Sequence, residues 1–311
     1  MENKHTNGHI FAFITILIWG TTFISTKILL IDFTPIEILF YRFVMGFVAL
    51  LIVYPYRMKV LDKKHEILFV AAGFCGITLY YLLENIALTY TFASNVGVIS
   101  SLAPFFIAII AFVILKEEPL KMNFFFGFVV AMTGVFLISF STTSNFQINP
   151  LGDILTVIAT IVWAIYSVIT RKISNLGYNT FQATRKMFFY GLLFMIPCLF
   201  IFEFNPTLEP FTKPVNIFNL LFLGLGASAL CFVTWNSAVK ILGPTKTSIY
   251  IYMVPVITVV TSMIVLHERL TWLAAIGIVL TLSGLVLSED RGFLRKRFSK
   301  TNKKSEHIQN Y

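Results

Sequence analysis

The strongest constraint on this chain is its succession of apolar blocks, each roughly 17 to 25 residues long, the length a helix needs to cross about 30 Å of hydrocarbon. About ten blocks are countable. Their cores lie at residues 10–29, 36–55, 67–89, 95–115, 123–141, 153–171, 181–202, 217–239, 246–266 and 273–288. The alternating dyads of a membrane barrel, with a turn after about ten residues, are absent. The expected fold is therefore an all-α integral membrane protein.

Composition excludes a water-soluble alternative. Hydrophobic residues make up 57% of the chain and charged residues 13%, against about 25% charged in a soluble domain. The first block follows a short polar start, as a cleaved leader would, but it runs on through WGTTFISTK without an A-x-A-like cleavage site and reads as a retained helix. Cys75, Cys198 and Cys231 stand isolated inside apolar blocks, without a disulfide framework or metal-ligand spacing. No metal and no cofactor are expected.

The net charge of +9 is explained by position rather than by a nucleic-acid partner. Basic residues concentrate in alternate loops: Arg57, Lys59, Lys63 and Lys64; Lys116 and Lys121; Arg171 and Lys172; Lys240 and Lys246; then the tail RGFLRKRFSKTNKK. The intervening loops TYTFAS and SFSTTSNFQINPLGD carry none, and EFNPTLEPFTKP carries only Lys213. By the positive-inside rule both termini are cytoplasmic, which an even number of spans allows. The basic tail serves as a topology anchor or contacts anionic lipid head groups. Richness in Lys, Asn, Ile and Phe points to an AT-rich bacterium, hence to its inner (plasma) membrane.

The chain also repeats itself at half its length. LAPFFIAIIAFVILKEE (102–118) aligns with MVPVITVVTSMIVLHER (253–269), placing Pro104 on Pro255 and Glu117 on Glu268 at one offset (255 − 104 = 151; 268 − 117 = 151). The same offset places Gly73 on Gly224, Asn85 on Asn236 and Ala87 on Ala238. An offset of 150 (277 − 127) places Gly127 and Gly134 on Gly277 and Gly284, and one of 144 (163 − 19) places WGTTFISTK on WAIYSVITR. Two five-helix halves follow. Five being odd, the second half must enter the membrane the opposite way round, an inverted repeat with any solute bound near the midplane where the halves meet. The expected boundaries are a cytoplasmic N-terminus at 1–9, a first repeat at 10–141, an extracytoplasmic linker at 142–152, a second repeat at 153–288 and a cytoplasmic tail at 289–311.

These residues carry a family resemblance. The WG-x-x-F first helix, the single arginine of the second, the N-x-A-L-x-Y-T-x-A-S passage from Asn85, the mid-helix proline and the closing KEE or HER resemble the EamA unit of the drug/metabolite transporter superfamily, in two copies from about Trp19 to Leu287. The second copy departs from the first: Trp235 replaces Glu84, Arg269 replaces Glu118, and the Trp163 helix lacks the glycine. The resemblance implies a ten-helix carrier of small polar metabolites, often amino acids or related compounds, and frequently an exporter. A membrane enzyme or a channel is the alternative. All five histidines fall in termini or loops, no Walker loop, H-E-x-x-H or G-x-S-x-G occurs, and the only internal repeat is twofold, so neither is favoured and no enzymatic activity is expected.

Several residues are candidates for the solute path. The fourth block carries small or kinking residues Gly97, Ser101, Pro104, Ala108 and Ala111 at spacings of four and three, with Ser248, Tyr252, Pro255, Val259 and Ser262 as repeat partners. Proline frees the carbonyl four residues back, here of Ser100 and Ile251, which must meet another helix or cavity water. Close packing with kinks and a cavity-lining role both remain open, Tyr252 leaning toward ligand contact. Trp19, Trp163, Tyr166, Tyr80 and Tyr250 either line the path or serve as anchors and packing. Ionisable residues inside spans face the bundle interior, because charge at the bilayer centre costs about 2.5 to 3.5 kcal/mol on insertion scales. Arg42 and Glu84 each lie about 9 Å from the outer edge of their helices and at that depth can pair, statically or as a switch broken by solute or a proton. Lys186 is expected to snorkel, and Arg185, one turn from Gln182, to meet an anionic solute group. Asn85, recurring as Asn236, reads as a structural hydrogen bond of both halves, as the recurring Gly127, Gly134, Gly277 and Gly284 read as scaffold.

Overall fold

A computed structural model describes residues 2–60, 62–91, 93–116, 122–142, 150–202, 204–265 and 271–288. Glu117, Glu118, Lys121, Glu268, Arg269, most of the expected linker and the basic tail lie outside the described residues. Among the described residues the elements are helical, in ten successive segments: α1 (Glu2–Leu29), α2 (Pro35–Val53), α3 (Lys63–Tyr90), α4 (Val96–Leu115), α5 (Met122–Thr142), α6 (Pro150–Asn175), α7 (Thr180–Ile201), α8 (Pro214–Leu242), α9 (244–265) and α10 (Trp272–Ser288). Seven are long and apolar enough to cross a membrane on length and composition. Large apolar side chains such as Phe126, Phe200 and Val279 face outward, as a lipid-facing surface requires.

Helix starts are specified by their caps. Thr34 and Glu37 form a reciprocal capping box with Pro35 in the first turn of α2, Asp62 caps α3 through the Lys64 amide at 2.9 Å, and Asn179 caps α7 through the amides of Phe181 and Gln182. α4 and α9 are broken at corresponding places. α4 turns at Ser101 and Leu102 and restarts at Ala103, while α9 passes through a 3₁₀ stretch at Ile249–Tyr252 and restarts at Met253. Pro104 and Pro255 therefore sit in first turns, where a missing N–H costs nothing, instead of kinking a continuous helix.

Packing shows the inverted repeat directly. α5 and α10 run antiparallel with glycines in contact: a Cβ on Gly134 would meet the Gly277 carbonyl at 2.5 Å, and one on Gly127 would meet the Gly284 carbonyl at 2.7 Å. Gly127 corresponds to Gly277 and Gly134 to Gly284, so exchanging the halves exchanges these two contacts. The other helices obey the same exchange: α1 packs on α8 and α9, and α6, its counterpart, packs on α3 and α4. α2 against α8 is matched by α7 against α3. In the first of these Gly46 faces the Gly224 carbonyl, and in the second Gly191 faces Gly73. Small residues at every crossing permit the close approach on which helix association in lipid depends.

α3 and α8 each contain a π-helical stretch, Phe74–Leu79 and Phe222–Leu230, ending on equivalent residues (230 − 79 = 151). Such widened turns displace the regular carbonyl register and cluster at functional positions. Beyond them Lys27 donates to the Leu88 carbonyl at 2.6 Å, and Arg171, its repeat partner, donates to the carbonyls of Val239 and Lys240 at 3.2 and 2.7 Å. Each cation thus satisfies the open C-terminal carbonyls of the third helix of its own half.

Candidate functional site, a central cavity off the repeat axis

Trp19 of α1 and Trp163 of α6 are repeat partners and meet edge-on in the middle of the bundle, ring centroids 5.2 Å apart and planes at 78°. Trp163 also packs on Tyr80 at 4.9 Å, and Trp19 on Trp235 at 5.1 Å. Beside them α1, α3, α4, α6 and α9 leave a cavity of about 50 Å³.

The lining of this cavity is informative when sorted by repeat position. Ile16 with Thr160, Trp19 with Trp163, Ser100 with Ile251 and Ala103 with Val254 contribute as equivalent pairs, the signature of a space touching the pseudo-twofold axis. Thr22, Phe23, Tyr80, Tyr81, Glu84 and Gly97 line it without a lining counterpart. The residues at their repeat positions, Tyr166, Ser167, Cys231, Phe232, Trp235 and Ser248, are all fully buried. The cavity therefore lies to one side of the axis, and side chains fill the corresponding volume on the other. Glu84 and Phe23 are each six residues from the ends of their helices at Tyr90 and Leu29, so the space reaches from the middle of the bundle toward the α1–α2 and α3–α4 turns.

Glu84 is 5% exposed and accepts a hydrogen bond from the Tyr80 hydroxyl one turn earlier. It does not pair with Arg42. The Arg42 Nε donates to Ser228 Oγ at 3.0 Å and its guanidinium lies over the Tyr81 ring, 4.4 Å from the centroid, with Nη2 buried and unpartnered. The two charges share a depth, but Arg42 turns to the α2–α8 crossing and Glu84 to the cavity; the direction around the helix decides. Arg185 likewise meets chain rather than open space, donating to the carbonyls of Tyr54 and Tyr56 (2.6 Å for the latter), while Gln182 donates to those of Tyr56 and Arg57. These contacts tie the α2–α3 loop to α7. Lys186 pairs with Glu66 at 2.7 Å instead of extending to the surface.

The remaining candidates belong to packing. Ser101 donates to the Gly97 carbonyl, and Pro104, Ala108 and Ala111 are buried where α4 runs along α6. The cavity face of α4 is instead Gly97, Ser100 and Ala103. Tyr252 is fully buried beside Ala131, Phe128 and Leu285, against α5 and α10, and like Pro255 it does not line the cavity. Tyr250 meets His9 at 2.7 Å. Tyr166 donates to Asn236 Oδ1 at 2.9 Å, and Asn236 donates to Thr184 of α7 at 3.0 Å; in the other half Asn85 donates to the Pro35 carbonyl of α2 at 3.2 Å. Both asparagines thus join the third helix of a half to its second. Asn85 Oδ1 is buried without a partner because Thr22 occupies the position of Tyr166 and spends its hydroxyl on the Trp19 carbonyl.

Five candidates named from the sequence line the cavity: Trp19, Tyr80, Glu84, Gly97 and Trp163. Sequence reasoning missed Thr22, Phe23, Tyr81 and Thr160 and valued Ser100 only for its carbonyl. Thr22 and Thr160 carried a signal, since their repeat partners are Tyr166 and Ile16 and a polar residue replaces a larger or apolar one only on one side of the axis. At the end of the bundle near the cavity, Lys213 of the α7–α8 connection pairs with Asp32 of the α1–α2 turn at 2.6 Å, and Asn216 donates to the same carboxylate at 2.9 Å. The Lys213 and Asn216 hydrogen bonds hold the Asp32 carboxyl below the usual carboxylate range.

The family model of the EamA-like transporters matches residues 6–140 and again 150–289. The chain is 29% identical to an "Uncharacterized transporter" of Archaeoglobus fulgidus, over 91% of this chain and 98% of that protein. It is 26% identical to "Uncharacterized transporter YyaM" of Bacillus subtilis, covering 91% and 93%, and 23% identical to "Protein PecM" of Dickeya dadantii, covering 92% and 94%. A solved crystal structure at 18% identity superposes with a TM-score of 0.75 over 94% of this chain and 99% of its own, a likeness of fold.

Proposed function

Because the chain belongs to the EamA-like transporter family, we propose that this multi-pass membrane transporter is a secondary carrier for a small polar or amphipathic metabolite, an amino acid or related compound. The solute occupies the central cavity, and alternating access moves it across. One observation carries this reading: a cavity between two inverted halves, open on one side of their axis and filled on the other, as expected of one state of a carrier whose halves exchange conformations.

The assigned direction is export, resting on the family resemblance alone, across a bacterial cell membrane; the orientation with both termini cytoplasmic is supported by the alternation of basic and bare loops. Glu84 is the candidate for coupling to a proton gradient: wild-type-like, proton-driven flux in Glu84→Gln would remove it from that role. Counterflow in proteoliposomes, with a panel of labelled amino acids and amines, tests the class. A carrier shows trans-stimulation by its own solute, a channel shows none, and an enzyme leaves a changed product.

A further inference from the structure

We propose that the cavity recognises its solute by a positively charged nitrogen, a protonated amine or quaternary ammonium, seated against the Glu84 carboxylate and the rings of Tyr80, Trp19 and Trp163. The inference rests on the carrier reading of this cavity and narrows its substrate class.

Charge is the first argument. Among the described residues lining the cavity Glu84 is the only carboxylate, and none is lysine, arginine or histidine. Among the described residues ion pairs join Lys186 to Glu66 and Lys213 to Asp32, and none reaches Glu84. The basic side chains of neighbouring helices make no ion pair with it: Arg42 donates to Ser228 and lies over the Tyr81 ring, its Nη2 unpartnered, and Lys27 donates to the Leu88 carbonyl. A carboxylate buried in this way, held by one phenol, is incompletely compensated. A cation in the adjoining space completes it; an anion meets repulsion.

The walls supply the second argument. A desolvated cation is attracted to aromatic faces, most strongly to tryptophan, and rings grouped around a void are the arrangement that holds alkylated ammonium groups. Trp19, Trp163 and Tyr80 bound this void on the carboxylate's side, their successive centroids 5.2 and 4.9 Å apart. The hydroxyls of Thr22, Ser100 and Thr160 add oxygen acceptors for the N–H groups of a primary amine. The repeat-equivalent volume has Trp235 in place of the carboxylate and offers no such site.

The test is calorimetric titration of the purified full-length protein with matched probes: choline against 3,3-dimethyl-1-butanol, and benzylamine against benzyl alcohol. Each cation should bind at least about tenfold more tightly than its neutral isostere. The preference should vanish in Glu84→Gln, persist in Glu84→Asp, and weaken most for choline in Trp19→Leu. Equal binding within both pairs, a preference surviving Glu84→Gln in folded protein, or no binding of any probe overturns the proposal. Counterflow separates it from the carrier reading: trans-stimulated exchange of a neutral solute without cation preference removes this inference alone, whereas cation binding with no trans-stimulation by any solute removes the carrier.

Discussion

Glu84 and Trp235 stand at equivalent places in the two halves, and the cavity opens beside the first while the second fills the corresponding volume. Trp235 is fully buried, yet its indole N–H finds no partner. Trp235→Ala should cost about 3–5 kcal/mol through the void it leaves. Trp235→Phe should cost less, because it keeps most of the packing and deletes an unsatisfied donor. Unfolding in one fixed lipid–detergent mixture checks the order; equal losses would contradict the plug.

The α5–α10 contact makes a sharper structural prediction. A side chain at Gly134 meets the Gly277 carbonyl and the Thr281 amide, both backbone atoms and both at 2.5 Å from an added Cβ. Gly134→Leu should therefore abolish recovery of monodisperse protein. At Gly226 the nearest atom to an added Cβ is the Phe222 ring at 3.7 Å, so Gly226→Ala should purify normally.

Arg42 depends on Ser228 for the bond to its Nε inside the bundle. Ser228→Ala removes that acceptor and strands more of a buried cation, with an expected loss of about 1.5–3 kcal/mol. Ser228→Thr, which keeps the hydroxyl, should recover part of the loss in the same unfolding assay.

Asp32 and Lys213 clasp the α1–α2 turn to the α7–α8 connection. Because the folded state holds the Asp32 carboxyl below its ordinary value of 3.8, the clasp's stabilisation is fully present above that value and is lost as pH falls through the lower folded one. The hydrogen-exchange protection factor of the segment around Lys213, with the intrinsic pH dependence of exchange divided out, should thus fall only below about pH 4. Asp32→Asn should have the lower protection factor at every pH and lack the acid step.

What the sequence made legible was whatever repeats or has a length. Block length marked the spans, and the paired glycines of α5 and α10, the recurring asparagines, and Lys27 with Arg171 were all visible at fixed offsets before their contacts were known. Direction around a helix was not. Depth brought Arg42 and Glu84 level, but the angle around each helix decides whether two side chains meet, and here the guanidinium turns to Ser228. The small-residue stripe of α4 meets the cavity face at Gly97 and beyond it falls one residue aside, at Ser101 and Pro104 instead of Ser100 and Ala103, for the same reason. The π stretches escaped because a few residues at a wider period leave no trace in an apolar run. Arg185 misled because an arginine near a helix start serves loop carbonyls as readily as a solute, and only the fold shows which is within reach.

The claim that the solute passes through the Glu84 cavity is tested most directly at Gly97. It lines the cavity and its added Cβ would meet no atom within 4 Å, so a side chain built there grows into the void. Trans-stimulated exchange should be measured in proteoliposomes for wild type, Gly97→Ala and Gly97→Trp. The account predicts exchange in the first two and none in Gly97→Trp, with unfolding temperature preserved. Wild-type exchange in a folded Gly97→Trp protein would contradict it.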